Sequence, residues 1–273
     1  MNVSAYIPCF NNERTIVQAI ASIRQQTVPV AELFVVDDGS TDRSMKKLQE
    51  LGVRVIAHSE NLGRGAARAR GMTEAQHDLV LACDATLALA PDFLAGSLSW
   101  LEQESVAAAF GCVTERASRH ATDRWRGRHL FGADTPKQVN RRASLATGGV
   151  LMRKSCVLKA GNFDPRIRQG EDAELGERLL ARGFEVVFDP GLGMTALGQN
   201  TLAELLERYW RWNVGVGRKL SWKIYLRQIS YSIKVMARQD LQQSDLAAAA
   251  ISFLCPHYLF WKANLCKSQP RKN

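Results

Sequence analysis

The sequence predicts an α/β protein with a doubly wound, mostly parallel central sheet flanked by helices, followed by a helical C-terminal tail. Three observations predict it. Short β-branched runs alternate with amphipathic stretches along the first part of the chain. The 273 residues are 46% hydrophobic and 23% charged, which suits a sizeable core and argues against disorder. Charge is also unevenly divided: from Arg208 onward twelve Lys or Arg face only Asp240 and Asp245, a net +10, while the preceding 207 residues sum to −1.

The elements follow in order. VSAYIP reads as a strand and residues 13–25 as the helix after it; ELFVV is followed by a helix over 44–51, VRVIA by one over 65–75, and DLVLAC by one over 92–104. Strand and helix alternating at this spacing is the pattern of a parallel sheet. Ligands of such sheets collect beyond the carboxyl ends of the strands. Asp37 and Asp38 stand side by side at such an end, where carboxylates can accept hydrogen bonds from a base N–H and from sugar hydroxyls. The same DDGSTD also suits a turn in which Ser40 or Thr41 caps the next helix, which accounts for the hydroxyls but not for two adjoining acids.

Several classes are excluded. The six cysteines are scattered singly without metal-type pairing, and no signal-peptide pattern opens the chain, which points to a reducing cytoplasm. No run reaches the roughly 20 apolar residues of a spanning helix; the nearest, 246–261, contains Pro256 and His257. No helix-turn-helix, zinc-finger or RNA-recognition signature is present, so the basic tail implies an anionic surface or ligand and not a nucleic acid.

In order along the chain stand IPCFNNERTI, VVDDGSTD, NLGRGAARARG, DLVLACDATLALAPDFL and GNFDPRIRQGEDAELGERLLARGFEVVFDP. From about Val3 to about Pro190 this series resembles the family-2 inverting glycosyltransferases of the GT-A fold, and its order is more specific than any one motif. The resemblance implies a GT-A domain over 1–200, with a nucleotide-sugar-binding half (1–105) and an acceptor-binding half (106–200), and a basic, aromatic extension over 201–273. It implies that Pro8 and Phe10 line the base of a nucleotide-sugar, that Asp37 meets it, and that Asp38 lies toward the nucleoside. Glu13, Gly63, Arg64, Arg68 and Asp84 complete the implied donor site. It makes Asp172 the general base, because an inverting transfer is a single displacement in which the acceptor hydroxyl loses its proton as it attacks. Glu171 would position the acceptor or raise the pKa of its neighbour, and Gly148 and Gly149 would let the acceptor approach the backbone. A UDP-sugar is the favoured donor and a glycan or lipid-linked hydroxyl the acceptor, in bacterial-type polysaccharide or glycolipid assembly.

Plainer readings stand beside these. Arg64 and Arg68 at i and i+4 share a helix face near a Gly-rich start that suits phosphate, and equally suit a solvated basic face. Glu171 and Asp172 would also complement the positive end of a helix. Asp84 begins the stretch where the resemblance implies a divalent cation, Mg²⁺ or Mn²⁺, but Thr86 replaces the second carboxylate and GLGMTALGQN offers no histidine. A non-catalytic nucleotide-sugar-binding relative fits the lost acid. A sugar nucleotidyltransferase shares the alternation but needs a Gly-rich, Arg-containing first loop, which IPCFNNERTI lacks.

The tail opens with RYWRWNVGVGRK, and four of the six tryptophans lie after Arg208. On an ideal helix Lys219, Lys223, Arg227, Lys234 and Arg238 fall within about 100° of one another, and Trp222, Tyr225, Leu226, Ile229, Ile233 and Met236 form a separate arc. Such a helix suits peripheral contact with an anionic membrane at the inner face, or packs its apolar arc on the core with the basic arc solvated.

Overall fold

VSAYIPC forms β1 (Val3–Cys9), buried along almost its whole length, and Ile16, Ile20 and Ile23 point α1 (Ile16–Arg24) onto the sheet. Then follow β2 (Glu32–Asp37), α2 (Ser44–Glu50), β3 (Arg54–Ala57), α3 (Arg64–Glu74) and β4 (Leu79–Cys83), with all of β4 buried. The expected alternation is present to within three residues at each helix end. The structure is a computed structural model and describes residues 1–115, 120–214 and 219–265. Residues 215–218 of the aromatic and basic stretch, and Cys266, lie outside the described residues.

Beyond β4 come β5 (Leu87–Leu89), α4 (Phe93–Leu101), β6 (Val106–Thr114) and α5 (Ala121–His129). After them lie β7 (Gly149–Arg153), α6 (Lys154–Lys159), α7 (Glu171–Ala181) and β8 (Glu185–Ala196). The sheet order is β3-β2-β1-β4-β7-β6-β8-β5. β3, β2, β1 and β4 are parallel; β7 is antiparallel to both β4 and β6, β6 and β8 are parallel, and β5 is antiparallel to β8. Register places Asp37 opposite Cys9 and Cys83 opposite Gly149. The carboxyl ends of β1, β2 and β4 therefore lie together, beside the start of β7.

The chain divides into two units, Met1–Thr114 with Pro136–Gly198, and Glu115–Thr135 with Gln199–Asn273. The first holds the sheet, with a core of Tyr6, Phe34, Val80, Val150, Met152 and Leu175 among others. The second is helical. It joins α5 to α8 (Leu202–Asn213), α9 (Trp222–Tyr231), a π-helical turn (Ser232–Ala237), α10 (Arg238–Gln242) and α11 (Leu246–Asn264). The described residues 115 and 120–135, expected in the acceptor half, group with the C-terminal helices. Side chains start these helices: Thr201 and Glu204 form a capping box on α8, and Ser221 and Asp245 accept the N–H of Ile224 and Ala248. Pro256 lacks the N–H that would bond the Ser252 carbonyl, and the Ser232 hydroxyl of the π-turn donates to that carbonyl at 2.5 Å.

The expected tail helix is thus modified. Lys219 precedes it, and the apolar arc separates into Met236, which is buried in the helical core, and Trp222, Leu226 and Ile233, which are exposed. The π-turn changes the angular spacing that an ideal helix assumes.

Candidate active site

Asp37 closes β2 with its side chain buried. One oxygen, Oδ2, accepts the Ser40 N–H at 3.0 Å; the other, Oδ1, is buried and has no hydrogen-bond partner among the described residues. Asp38 differs. Its Oδ1 accepts the Leu62 N–H at 3.0 Å and lies 2.8 Å from His58 Nδ1, and its Oδ2 accepts from Gly63 N–H at 2.8 Å and Asn61 Nδ2 at 2.9 Å. Asp38 is therefore the anion seated at the Gly-rich turn before α3. Asp38 takes the N–H groups of Leu62 and Gly63, and the Ile167 carbonyl takes that of Gly65, so three of the backbone donors expected to suit a phosphate at this turn are bonded within the fold. Gly63 is needed for its φ of 102°, and a Cβ on Gly65 would lie 2.3 Å from the Asp164 carbonyl oxygen.

The loops after β1 and β2 are tied together through Asn11, which carried no signal in the sequence. Asn11 Oδ1 accepts the Thr41 N–H at 2.8 Å, and Ser40 Oγ accepts the Asn11 N–H at 2.9 Å. Helix α2 is not capped by Ser40 or Thr41. Asp42 Oδ1 accepts the Ser44 N–H and Glu13 Oε2 the Arg43 N–H. Glu13, expected among the donor contacts, has one carboxylate oxygen engaged there. Pro8 is half-buried at the end of β1, and Phe10 follows with 42% of its surface exposed.

Arg64 and Arg68 diverge. Arg64 is exposed at the start of α3 and has no ion-pair partner among the described residues. Arg68 is 2% exposed: Nη2 donates to Asp84 Oδ1 at 2.7 Å, Nε to Glu171 Oε1 at 3.0 Å and Nη1 to the Thr147 carbonyl at 3.3 Å. Burial alone would lower the Arg68 pKa, but Asp84, Tyr6 and Glu171 outweigh it and raise it, so the guanidinium stays charged. Arg64 and Arg68 therefore differ in environment, because two carboxylates already balance Arg68.

Glu171 opens α7, is 2% exposed, and accepts from Arg68 through Oε1. Its neighbour is the more exposed of the two. Asp172 is half-buried; Thr147 Oγ1 donates to its Oδ2 at 3.4 Å and the Ala173 N–H to its Oδ1 at 2.9 Å. Arg68 and Thr147 thus link the carboxylate after β4 to the two that open α7. Thr147 stands in TGGVLMRKS, but its contact 25 residues away is a tertiary event that spacing does not reveal. Gly148 and Gly149, expected beside the acceptor, also make room for β5: a Cβ on either would lie within 2.8 Å of Leu87 or Leu89 side-chain atoms.

Asp84 is tied to β7 by its N–H, which donates to the Gly148 carbonyl at 2.7 Å, and its side chain is 29% exposed. One of its oxygens is committed to Arg68, and Thr86 adds only a hydroxyl. Among the described residues no group of three or more His, Cys, Asp or Glu could hold a metal ion. The described side chains alone therefore do not supply a full set of charged donors for a divalent cation, and a cation here would draw its remaining charged oxygens from a ligand's phosphates.

The family model for glycosyl transferase family 2 matches residues 4–163. The amylovoran biosynthesis glycosyltransferase AmsE of Erwinia amylovora is 24% identical over 198 residues, covering 70% of this chain and 74% of that protein. The undecaprenyl-phosphate 4-deoxy-4-formamido-L-arabinose transferase of Proteus mirabilis is 30% identical over 167 residues, covering 58% and 48%. The chain thus spans about half the length of some curated relatives it matches. Among solved structures, S. aureus TarS 1–349 in complex with UDP-GlcNAc superposes with a TM-score of 0.60 at 16% identity, covering 97% of this chain and 74% of that one. The mannosyltransferase PcManGT from Pyrobaculum calidifontis, in complex with GDP-Man and Mn²⁺, gives 0.61 at 15%, covering 98% and 88%. These likenesses establish the GT-A fold.

Proposed function

The chain belongs to glycosyl transferase family 2, and we propose that it transfers a hexosyl group from a UDP-sugar to an acceptor hydroxyl with inversion. The observation that carries this reading is Asp37 Oδ1, buried at the carboxyl end of the sheet without a partner among the described residues. A buried acceptor left unpaired costs about 1–3 kcal/mol, and the N–H of a nucleotide base supplies the missing donor. Phe10, which follows Cys9, the register partner of Asp37, is 42% exposed and offers a face for the base.

Asp172 is the general base of this proposal. The acceptor oxygen forms its bond to the anomeric carbon as the bond to the diphosphate breaks; the proton passes to Asp172 and the electron pair leaves with UDP. Thr147 orients the carboxylate, and the Glu171–Arg68 pair fixes the start of α7 against Asp84. Arg64 is the exposed cation for the departing diphosphate. The acceptor is a glycan or lipid-linked hydroxyl in polysaccharide or glycolipid assembly, and the reaction belongs at the cytoplasmic face of a membrane.

A thermal-shift panel of UDP- and GDP-sugars tests the donor. A ligand at 100 times its Kd stabilises by about 2.7 kcal/mol, so the bound donor should stand out. Absence of a shift with every UDP-sugar overturns the donor assignment, and a product retaining the donor's anomeric configuration overturns inversion. Thr86 favours a second reading, a non-catalytic donor-binding relative, which donor binding without turnover at any cation concentration would support.

A further inference from the structure

Helix α11 is apolar on two sides. Ala248, Ile251, Cys255 and Leu259 fill the core of the helical unit. Leu246, Phe253, Leu254, Trp261 and Leu265 recur at spacings that place them on the opposite side, and each is between 45% and 73% exposed. A surface helix ordinarily puts polar residues outward. This one is nevertheless not a spanning segment, since no described helix is long and apolar enough to cross a membrane.

Helix α9 lies against it. The Trp222 and Phe260 rings are 4.6 Å apart, the Tyr225 and Phe260 rings are 4.5 Å apart, and the Tyr225 hydroxyl lies 2.8 Å from His257 Nδ1. Trp222, Leu226 and Ile233 are 66%, 61% and 48% exposed. Lys223, Arg227, Lys234 and Arg238 are exposed on the same continuous stretch. The only acids between residues 219 and 265, Asp240 and Asp245, are buried and paired with Arg128, His129 and Arg124. The exposed charge of the α9–α11 pair is therefore of one sign.

We propose that the outer face of α11, with the Trp222 side of α9, is a docking surface for a bilayer containing anionic phospholipid. The apolar side chains enter the headgroup and acyl boundary, tryptophans lie at the interface, and the four basic residues meet lipid phosphates. Charge complementarity selects this occupant over a second copy of the chain, since a two-fold contact through the same face would bring its like-charged basic residues together. The surface lies wholly in the helical unit and stands or falls independently of the donor site.

The test is co-sedimentation of the full chain with phosphatidylcholine vesicles, with and without phosphatidylglycerol. The parent binds the anionic vesicles and is released as salt rises. Replacing Lys223, Arg227, Lys234 and Arg238 together with Gln lowers that affinity by on the order of 10²–10³-fold, from the attraction of each basic residue near an anionic surface. Leu254→Ser with Trp261→Ser weakens binding to the same vesicles with the basic residues intact. All six changed positions are exposed, so thermal unfolding and the donor-induced thermal shift remain as in the parent. Equal sedimentation of parent and both variants overturns the proposal, as does a parent that ignores vesicles and sediments as a dimer that Leu254→Ser with Trp261→Ser dissociates.

Discussion

Arg68 in the sheet unit and Asp240 in the helical unit are both buried charges at the centre of hydrogen-bond networks, but the networks end differently. Asp240 is fully buried: Oδ1 is engaged by Arg128 and His129, and Oδ2 accepts from the Ser252 hydroxyl at 2.6 Å, which in turn accepts from Trp125 Nε1 at 2.8 Å. Both oxygens are used from within. The network around Arg68 instead runs outward, through Asp84 at 29% exposure and past Thr147 to half-buried Asp172, and the neighbouring strand end carries the unpartnered Asp37 oxygen. A closed network holds architecture together, whereas one that leaves oxygens to spare offers acceptors to a ligand.

The sharpest way to break this comparison is Asp172→Asn. It keeps the shape and removes proton acceptance, so turnover should fall by roughly 10²–10⁴-fold while donor affinity and thermal stability hold. Unchanged steady-state turnover would remove Asp172 from the mechanism.

Asp240→Asn probes the closed network and should have the reverse signature. Removing the fully buried charge that Arg128 and His129 both engage, with only Asp134 at 3.2 Å and Asp245 at 3.7 Å left to Arg128, should cost about 3 kcal/mol in denaturant unfolding, with no change in donor affinity. Its pH dependence follows. Burial by itself would raise the Asp240 pKa, but the bonds from His129, Ser252 and Arg128 outweigh it and hold it below the ordinary carboxylate value, and Arg124 does the same for Asp245. A folded pKa below the unfolded one gives stability that is present above about pH 4 and is lost as pH falls through the folded value. Acid unfolding followed by circular dichroism should be less steep in Asp240→Asn; an identical profile would mean that this carboxylate does not govern acid stability.

Asp37→Asn should barely alter unfolding, since an amide oxygen can still accept from Ser40, yet weaken binding of the free nucleotide by about 1–3 kcal/mol. Equal affinity by calorimetry would show that the idle oxygen serves no base. The smallest effect is expected at Thr86→Asp. A second carboxylate should lower the Mn²⁺ concentration for half-maximal turnover by on the order of 10-fold, because the charge of the ligand set tunes cation affinity. No movement of that midpoint would place residue 86 away from the diphosphate.

Much of the sheet unit was legible. Its early strands are apolar runs ended by turn chemistry, and α1 shows its inward face in the spacing of Ile16, Ile20 and Ile23. The later strands were harder. β5 has three residues, and β6 begins as VAAAF, with three consecutive alanines that carry little β preference. Within the site, the order of motifs located Asp37, Asp84 and Asp172, while the partner of Asp38, the burial of Arg68 and the hydroxyl of Thr147 all rest on residues distant in sequence.

The sequence by itself determined the strand and helix alternation, the family, and the placing of acids at strand and helix ends, because local periodicity and motif order are properties of consecutive residues. Only the tertiary structure decided which acid is spent and which is spare. Asp37 and Asp38 are chemically identical neighbours, and Glu171 and Asp172 nearly so, yet in each pair one carboxylate is tied to the fold by groups at least 20 residues away and the other keeps capacity to spare. A side chain's remaining hydrogen-bonding capacity is set by what folds against it, and that is not written in its own neighbourhood.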